Sequence, residues 1–208
     1  MREASGRLEF SDAQRRILLA AERLFAERGV SHVSMREISA AAGQRNNSAV
    51  QYHFKNKKAL LWALYDLRMM PLNTQRNSLL DNHTEHTVRT LVDAFIRPLG
   101  DAVVAAGGRT AYARFLNRHL TEMRRLPEEF DDEHVSGAVR VYHLLDDLLT
   151  DLPDAERAER FHQMNRIVTS VLADLEERLE LGEADSTAAR RAVETLISGA
   201  AAAVACSS

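Results

Sequence analysis

Residues 34–58 read SMREISAAAGQRNNSAVQYHFKNKK. Ser34 and Glu37 form an S-x-x-E capping box, which predicts a helix starting at Ser34. Val33 before the cap and Ile38 beyond it are spaced as a hydrophobic staple. Ala40, Ala41 and Ala42 are small enough to let another helix approach closely, and Gly43 can take the left-handed turn that ends a helix. The following QRNNS is polar and amide-rich, with one Arg. These are the side chains that reach base edges, Arg towards guanine and Asn or Gln towards adenine. A short helix, a Gly turn and a second helix opening on such residues is a helix-turn-helix pattern.

The pattern extends in both directions. Upstream, Ser11 and Gln14 form another capping box, and Ile17, Leu18, Ala21, Leu24 and Phe25 make a helical stripe ending at Gly29. Downstream, Tyr52, His53 and Phe54 precede Lys55, Lys57 and Lys58. Asn56 is a suitable N-cap for a helix running through Leu60, Leu61, Leu64 and Leu67 to about residue 70, where Pro71 is expected to end or kink it.

This stretch resembles the DNA-binding domain of TetR-type transcriptional repressors. The resemblance rests on Ile17, Ala21, Leu24, Phe25, Gly29, Ser34, Ile38, Ala42, Gly43, Tyr52, His53, Phe54, Lys57 and Leu60. It covers roughly residues 12 to 65, about a quarter of the chain. Eight residues separate Gly43 from Tyr52, one more than the usual spacing, so two registers of the recognition helix are open. The resemblance implies an all-α protein, with an N-terminal three-helix helix-turn-helix DNA-binding domain (residues 1–55) and a C-terminal helical effector-binding and dimerisation domain (residues 56–208). It also implies that Tyr52, His53 and Lys57 touch the DNA backbone, with Ser34 and Arg36 approaching phosphate. Arg45, Asn46, Asn47 and Gln51 are the candidates for base reading, with Asn46 or Asn47 alternatively serving only as the helix cap.

Charge is distributed accordingly. The formal net charge of the 208 residues is −3, yet residues 1–60 carry 11 Lys and Arg against 6 Asp and Glu (+5), and residues 61–208 carry 16 against 24 (−8). An acidic body repels phosphate, so nucleic acid is expected at the N-terminal face alone.

The remainder reads as helix throughout. Stripes at helical spacing include Val88, Leu91, Val92, Phe95, Ile96 and Leu99, with Pro98 expected to break the run, and then Tyr112, Phe115, Leu116, His119 and Met123. Gly107–Gly108, the Pro127 region with the acidic DDEH segment, Pro153 and Gly182 mark loops or boundaries, and a last Ala-rich helix is expected over about residues 186 to 204. Phe95, Tyr112, Phe115, His119, Met123, Tyr142 and Met164 mix aromatic, thioether and imidazole groups on inward stripes. Each alone reads as core, but together they have the composition of a small-molecule pocket. Phe161, Met164, Val168, Val171, Leu175 and Leu179, with Ala188, Ala192, Leu196, Ala200, Ala203 and Val204, suit either a monomer core or, by the resemblance, a four-helix homodimer interface.

Other chemistry finds little support. The single cysteine, Cys206, excludes an intrachain disulfide and a Cys-based zinc site, which fits a cytoplasmic protein. His83 and His86 lie on a polar stretch, and the E-x-x-H of Glu159 and His162 occurs once where a di-iron bundle needs two. No phosphate loop or nucleophile elbow is present. The expectation is therefore a non-enzyme with no catalytic residues, metal or cofactor, and with operator DNA, a small-molecule effector and a second copy of itself as partners. The competing reading is an all-α enzyme or small-molecule-binding module that does not bind DNA.

Overall fold

The computed structural model describes residues 9–43, 48–122 and 132–206. Among them the chain is helical with no strand. The helices are α1 (Asp12–Arg28), α2 (Met35–Ala41), α3 (Ser48–Phe54), α4 (Lys57–Asp81), α5 (Val88–Ala106), α6 (Tyr112–Glu122), α7 (Asp132–Leu148), α8 (Asp154–Glu180) and α9 (Ser186–Ala205).

The local signals act as the sequence suggests. Ser11 and Gln14 close a capping box on α1, and Ser34 and Glu37 close one on α2. Asn56 caps α4 through its side-chain oxygen. Gly43 turns with φ +67° between α2 and α3. Ile17, Leu18, Phe25, Val33, Ile38, Val50, Phe54 and Leu60 are buried together as the small core joining α1 to α4.

Two expectations about proline are corrected. Pro71 does not end α4 and Pro98 does not break α5, because both helices continue through them. A proline inside a helix removes one N–H and costs about 3 kcal/mol. Pro71 is on the exposed side of α4, where water can take the place of the lost donor. The turns on either side are buried through Leu64, Tyr65, Leu72 and Asn73. In α5, Leu91, Val92, Phe95, Ile96, Leu99 and Val103 are all buried. At about 1.5–3 kcal/mol for each large apolar side chain, that burial outweighs the proline. The acidic segment is corrected in part: residues 132–134 open α7, whereas Pro127 and Asp131 lie outside the described residues.

α5 is the central helix of the body and packs against α4, α7, α8 and α9. Gly100 sets its approach to α9, since a Cβ there would stand 2.8 Å from a methyl of Val193. An ion-pair network holds the same seam: Arg97 binds Asp93 within α5 and Glu194 of α9, at 2.6 and 2.7 Å.

The turn from α5 to α6 lies directly on the end of α8. Gly108 has φ +77°, and a Cβ on it would run into the backbone of Glu180. Both constraints act against any side chain. Gly108→Ala is therefore expected to destabilise the fold by on the order of 2–4 kcal/mol, read as a lower urea midpoint.

Candidate nucleic-acid interface and interior pocket

α3 divides its side chains cleanly. Val50 and Phe54 face the core, while Gln51 is exposed and Tyr52 is 84% exposed, which is unusual for a large aromatic. Tyr52 meets His53 edge-on, with ring centroids 5.3 Å apart. An exposed tyrosine beside an imidazole and a turn rich in lysine suits backbone and base contact better than packing. Arg45, Asn46 and Asn47 lie outside the described residues.

Ser34 and Arg36 are exposed at the start of α2. The Ser34 hydroxyl accepts from the Glu37 amide at 3.2 Å and donates to the Glu37 carboxylate at 2.7 Å. The other oxygen of Glu37 pairs with Arg28 at 2.7 Å. These bonds, Ser34 first, hold the Glu37 carboxyl at about 2, well below its ordinary 4.5. Lys57 is more occupied than its sequence context suggests. Its ammonium donates to the carbonyls of Val30 and Val33 at 2.9 and 3.0 Å, tying the α1–α2 loop to α4. One proton remains for a phosphate, since an ammonium has three.

The N-terminal helices are bound to the body by a buried carboxylate. Glu22 of α1 is 1% exposed, takes a two-pronged contact from Arg68 of α4 at 2.6 and 2.9 Å, and accepts the Ala111 amide at 3.0 Å. Arg118 of α6 donates to the Ala26 carbonyl at 2.9 Å. A second carboxylate, Glu176 of α8, is fully buried and accepts from the Thr110 hydroxyl and from the amides of Ala113 and Arg114, at 2.9–3.3 Å. Two acidic residues from two other helices thus cap the start of α6.

An apolar cavity of about 100 Å³ lies inside the body. Of the sequence candidates, Phe95 and Tyr142 line it, with ring centroids 5.4 Å apart. Phe115, Tyr112 and His119 do not line it; they form an aromatic cluster with Tyr65 and Phe25, in which Phe115 and His119 stack at 5.4 Å. Met164 is buried in the core but does not line the cavity, and Met123 lies outside the described residues. Tyr65, Met69 and Arg76 of α4 and Thr169 of α8, none of them a sequence candidate, also line it, as does Val168, which the sequence marks only as a core or interface position. Ending α4 at Pro71 hid Arg76; with α4 continued, its place one helical repeat after Met69 would have found it. A wider polar cleft of about 750 Å³ between α1, α6 and α8 is lined largely by charged side chains.

Glu37 supplies a test of the local geometry. Its folded-state value is depressed, so the stability it lends α2 is complete above about pH 4.5 and is lost as pH falls towards 2. Ser34→Ala is expected to raise the Glu37 midpoint towards 4.5, followed by NMR of its side-chain carboxyl, while Arg36→Ala leaves it in place.

Two family profiles match successive parts of the chain: bacterial regulatory proteins of the tetR family over residues 17–64, and the tetracyclin repressor-like C-terminal domain over residues 93–203. No curated protein matches the chain. Among solved structures, a TetR family transcription regulator from Marinobacter aquaeolei is similar with a TM-score of 0.61 at 17% identity, over 92% of this chain and 94% of that one. The fatty acid degradation regulator FadR from Bacillus halodurans is similar with a TM-score of 0.51 at 19% identity, over 91% of this chain and 97% of that one. At these identities the likeness is one of fold. With the C-terminal profile alone spanning more than half of the chain, and the N-terminal profile covering the helix-turn-helix, the chain belongs to the TetR family of helix-turn-helix, DNA-binding transcription regulators.

Proposed function

We propose that this regulator is a cytoplasmic repressor that binds a palindromic operator as a homodimer and leaves it when a small molecule fills the interior cavity. The observation that carries the reading is the continuity of α4. Its 25 residues span about 37 Å at the usual helical rise. At one end Lys57 ties down the α1–α2 loop, Arg68 then grips Glu22 of α1, and Tyr65, Met69 and Arg76 line the cavity. A ligand that shifts the cavity wall acts on the same rod that carries the DNA-reading helices. The spacing of two such units must match one DNA turn, about 34–36 Å, or a multiple, so a small tilt suffices to weaken binding.

Supporting features are the exposed face of α3, the positive balance of residues 1–60, and the apolar side chains left at the surface of α8, where Ile167 and Val171 are 45% and 38% exposed. The surface position matters for testing assembly. Leu175 and Ala200 are 1% and 3% exposed in the single chain, so a charge there would unfold the protomer itself. Val171→Arg is tolerable in a monomer and not in a packed dimer interface. It is expected to convert the dimer to a folded monomer by light scattering and to abolish cooperative operator binding. A wild-type protein that is monomeric at micromolar concentration would sink the dimer reading.

DNA reading is tested on α3. Tyr52→Ala and Gln51→Ala are expected to weaken operator binding by roughly 1–3 kcal/mol each in salt-controlled gel shifts, with melting temperature unchanged because both side chains are exposed. Lys57→Ala should flatten the salt slope by about one unit and, unlike them, lower stability. Induction is tested by reciprocity: a cavity ligand must lower operator affinity, and operator must lower ligand affinity by the same factor.

A further inference from the structure

Arg76 is 4% exposed and stands in the wall of the apolar cavity. Its Nε donates to the Phe95 carbonyl at 3.3 Å, and one terminal nitrogen donates to the Asn73 amide oxygen at 2.9 Å and faces the Met69 sulfur at 3.4 Å. The guanidinium lies over the Phe95 ring, 5.3 Å from its centroid. Every one of these partners is neutral. Among the described residues no carboxylate pairs with it, and none lines the cavity.

This contrasts with the other buried charges of the protein. Glu22 is matched by Arg68, and Glu176 by Arg114 and a helix start. A guanidinium taken out of water without a counter-charge is costly, and a protein seldom keeps one without use for it. Burial draws its pKa down to about 10, which still leaves it fully charged at neutral pH. The site therefore offers a guanidinium and its positive charge, set in an apolar wall of Phe95, Leu99, Leu116 and Val168.

We infer that the cavity binds a small, mostly apolar organic monoanion whose carboxylate pairs with Arg76. The inference rests on the ligand-responsive reading above and adds the chemical class of the ligand. With Nε and one terminal nitrogen held by Phe95, Asn73 and Met69, the other terminal nitrogen is the donor that meets the carboxylate, in a charge-assisted hydrogen bond. About 100 Å³ has room for a body near the size of one aromatic ring, judged against the 150 Å³ engineered cavity that holds benzene.

The experiment uses the full-length protein and two matched pairs of probes, benzoate with benzamide and hexanoate with hexanamide, titrated by calorimetry. Each pair keeps its shape and differs in charge. The anions are expected to bind at least about tenfold tighter than their amides, because both can accept from the guanidinium but only the anion neutralises its buried charge. In Arg76→Met, which keeps the bulk, the anions should fall to the level of the amides while the amides are unchanged. If that variant does not fold, the wild-type comparison decides, together with the Arg76 Nε resonance, which should shift with benzoate and not with benzamide. Amides that bind as tightly as anions would overturn the anion preference and leave the cavity as a ligand site. Binding by none of the four would overturn the inference and the ligand role of this cavity together. Tight anion binding that persists in Arg76→Met, or that leaves operator affinity untouched, separates the two readings again: the first overturns the Arg76 assignment, and the second supports it while removing the induction mechanism.

Discussion

The first turn of α6 holds the two halves of the protein together. A helix start exposes several backbone N–H groups that must find acceptors. Here the acceptors are neither solvent nor a local cap but two buried carboxylates brought from distant helices, Glu22 of α1 and Glu176 of α8. The positive end of the helix dipole favours both charges, and Arg68 and Arg114 neutralise what remains. The cost of burying these carboxylates is offset only when all the partners are in place, because removing one leaves a buried charge uncompensated. The DNA-reading helices, α4, α6 and α8 are thus fixed to one another by one polar node in otherwise apolar surroundings.

That node bears on how a change in the cavity could reach α3. Arg68 and Arg76 lie on α4 two turns apart; one binds the node and the other lines the cavity. The rod between them is a single helix despite Pro71, and its flanking turns are buried. Rigid helices joined by satisfied ion pairs tend to move as units between discrete packings rather than to deform smoothly. On the proposed reading, the regulator therefore needs no long chain of contacts. Displacing the middle of α4 alters the position of its N-terminus, where Lys57 holds the loop that leads into α2.

The sequence was most informative where the cause is local. Capping boxes at Ser11 and Ser34, the Asn56 cap and the turns at Gly43, Gly107 and Gly182 depend on residues a few positions apart, and all are present in the structure. Helical stripes placed the long helices of the body with similar success. Proline was misleading at residues 71 and 98 because its local penalty is set against burial that only tertiary packing supplies. The polar node was invisible for the same reason. Glu22 occupies an ordinary polar position in an amphipathic helix, and its acceptor role depends on an amide 89 residues away. Aromatic composition reached only part of the cavity wall: Phe95 and Tyr142 line it, Phe115 and His119 stack elsewhere in the core, and α4 supplies Tyr65, Met69 and Arg76.

The interior charges of this protein fall into two kinds, and the difference separates scaffold from site. Glu22 is satisfied by Arg68 and a backbone amide, and Glu176 by Arg114, the Thr110 hydroxyl and two backbone amides, so their burial is balanced within the described residues. Arg76 is held in place by neutral oxygens and a ring, which orient it without neutralising it. A balanced pair resists change, because any movement uncovers a charge. An unbalanced cation has the opposite property: its environment improves when an anion arrives, and the gain is available only in the conformation that brings the two together. On the proposed reading, a helix that carries one of each, Arg68 locked to the DNA-reading unit and Arg76 facing the ligand, couples the stabilisation of a bound anion to the position of the locked end.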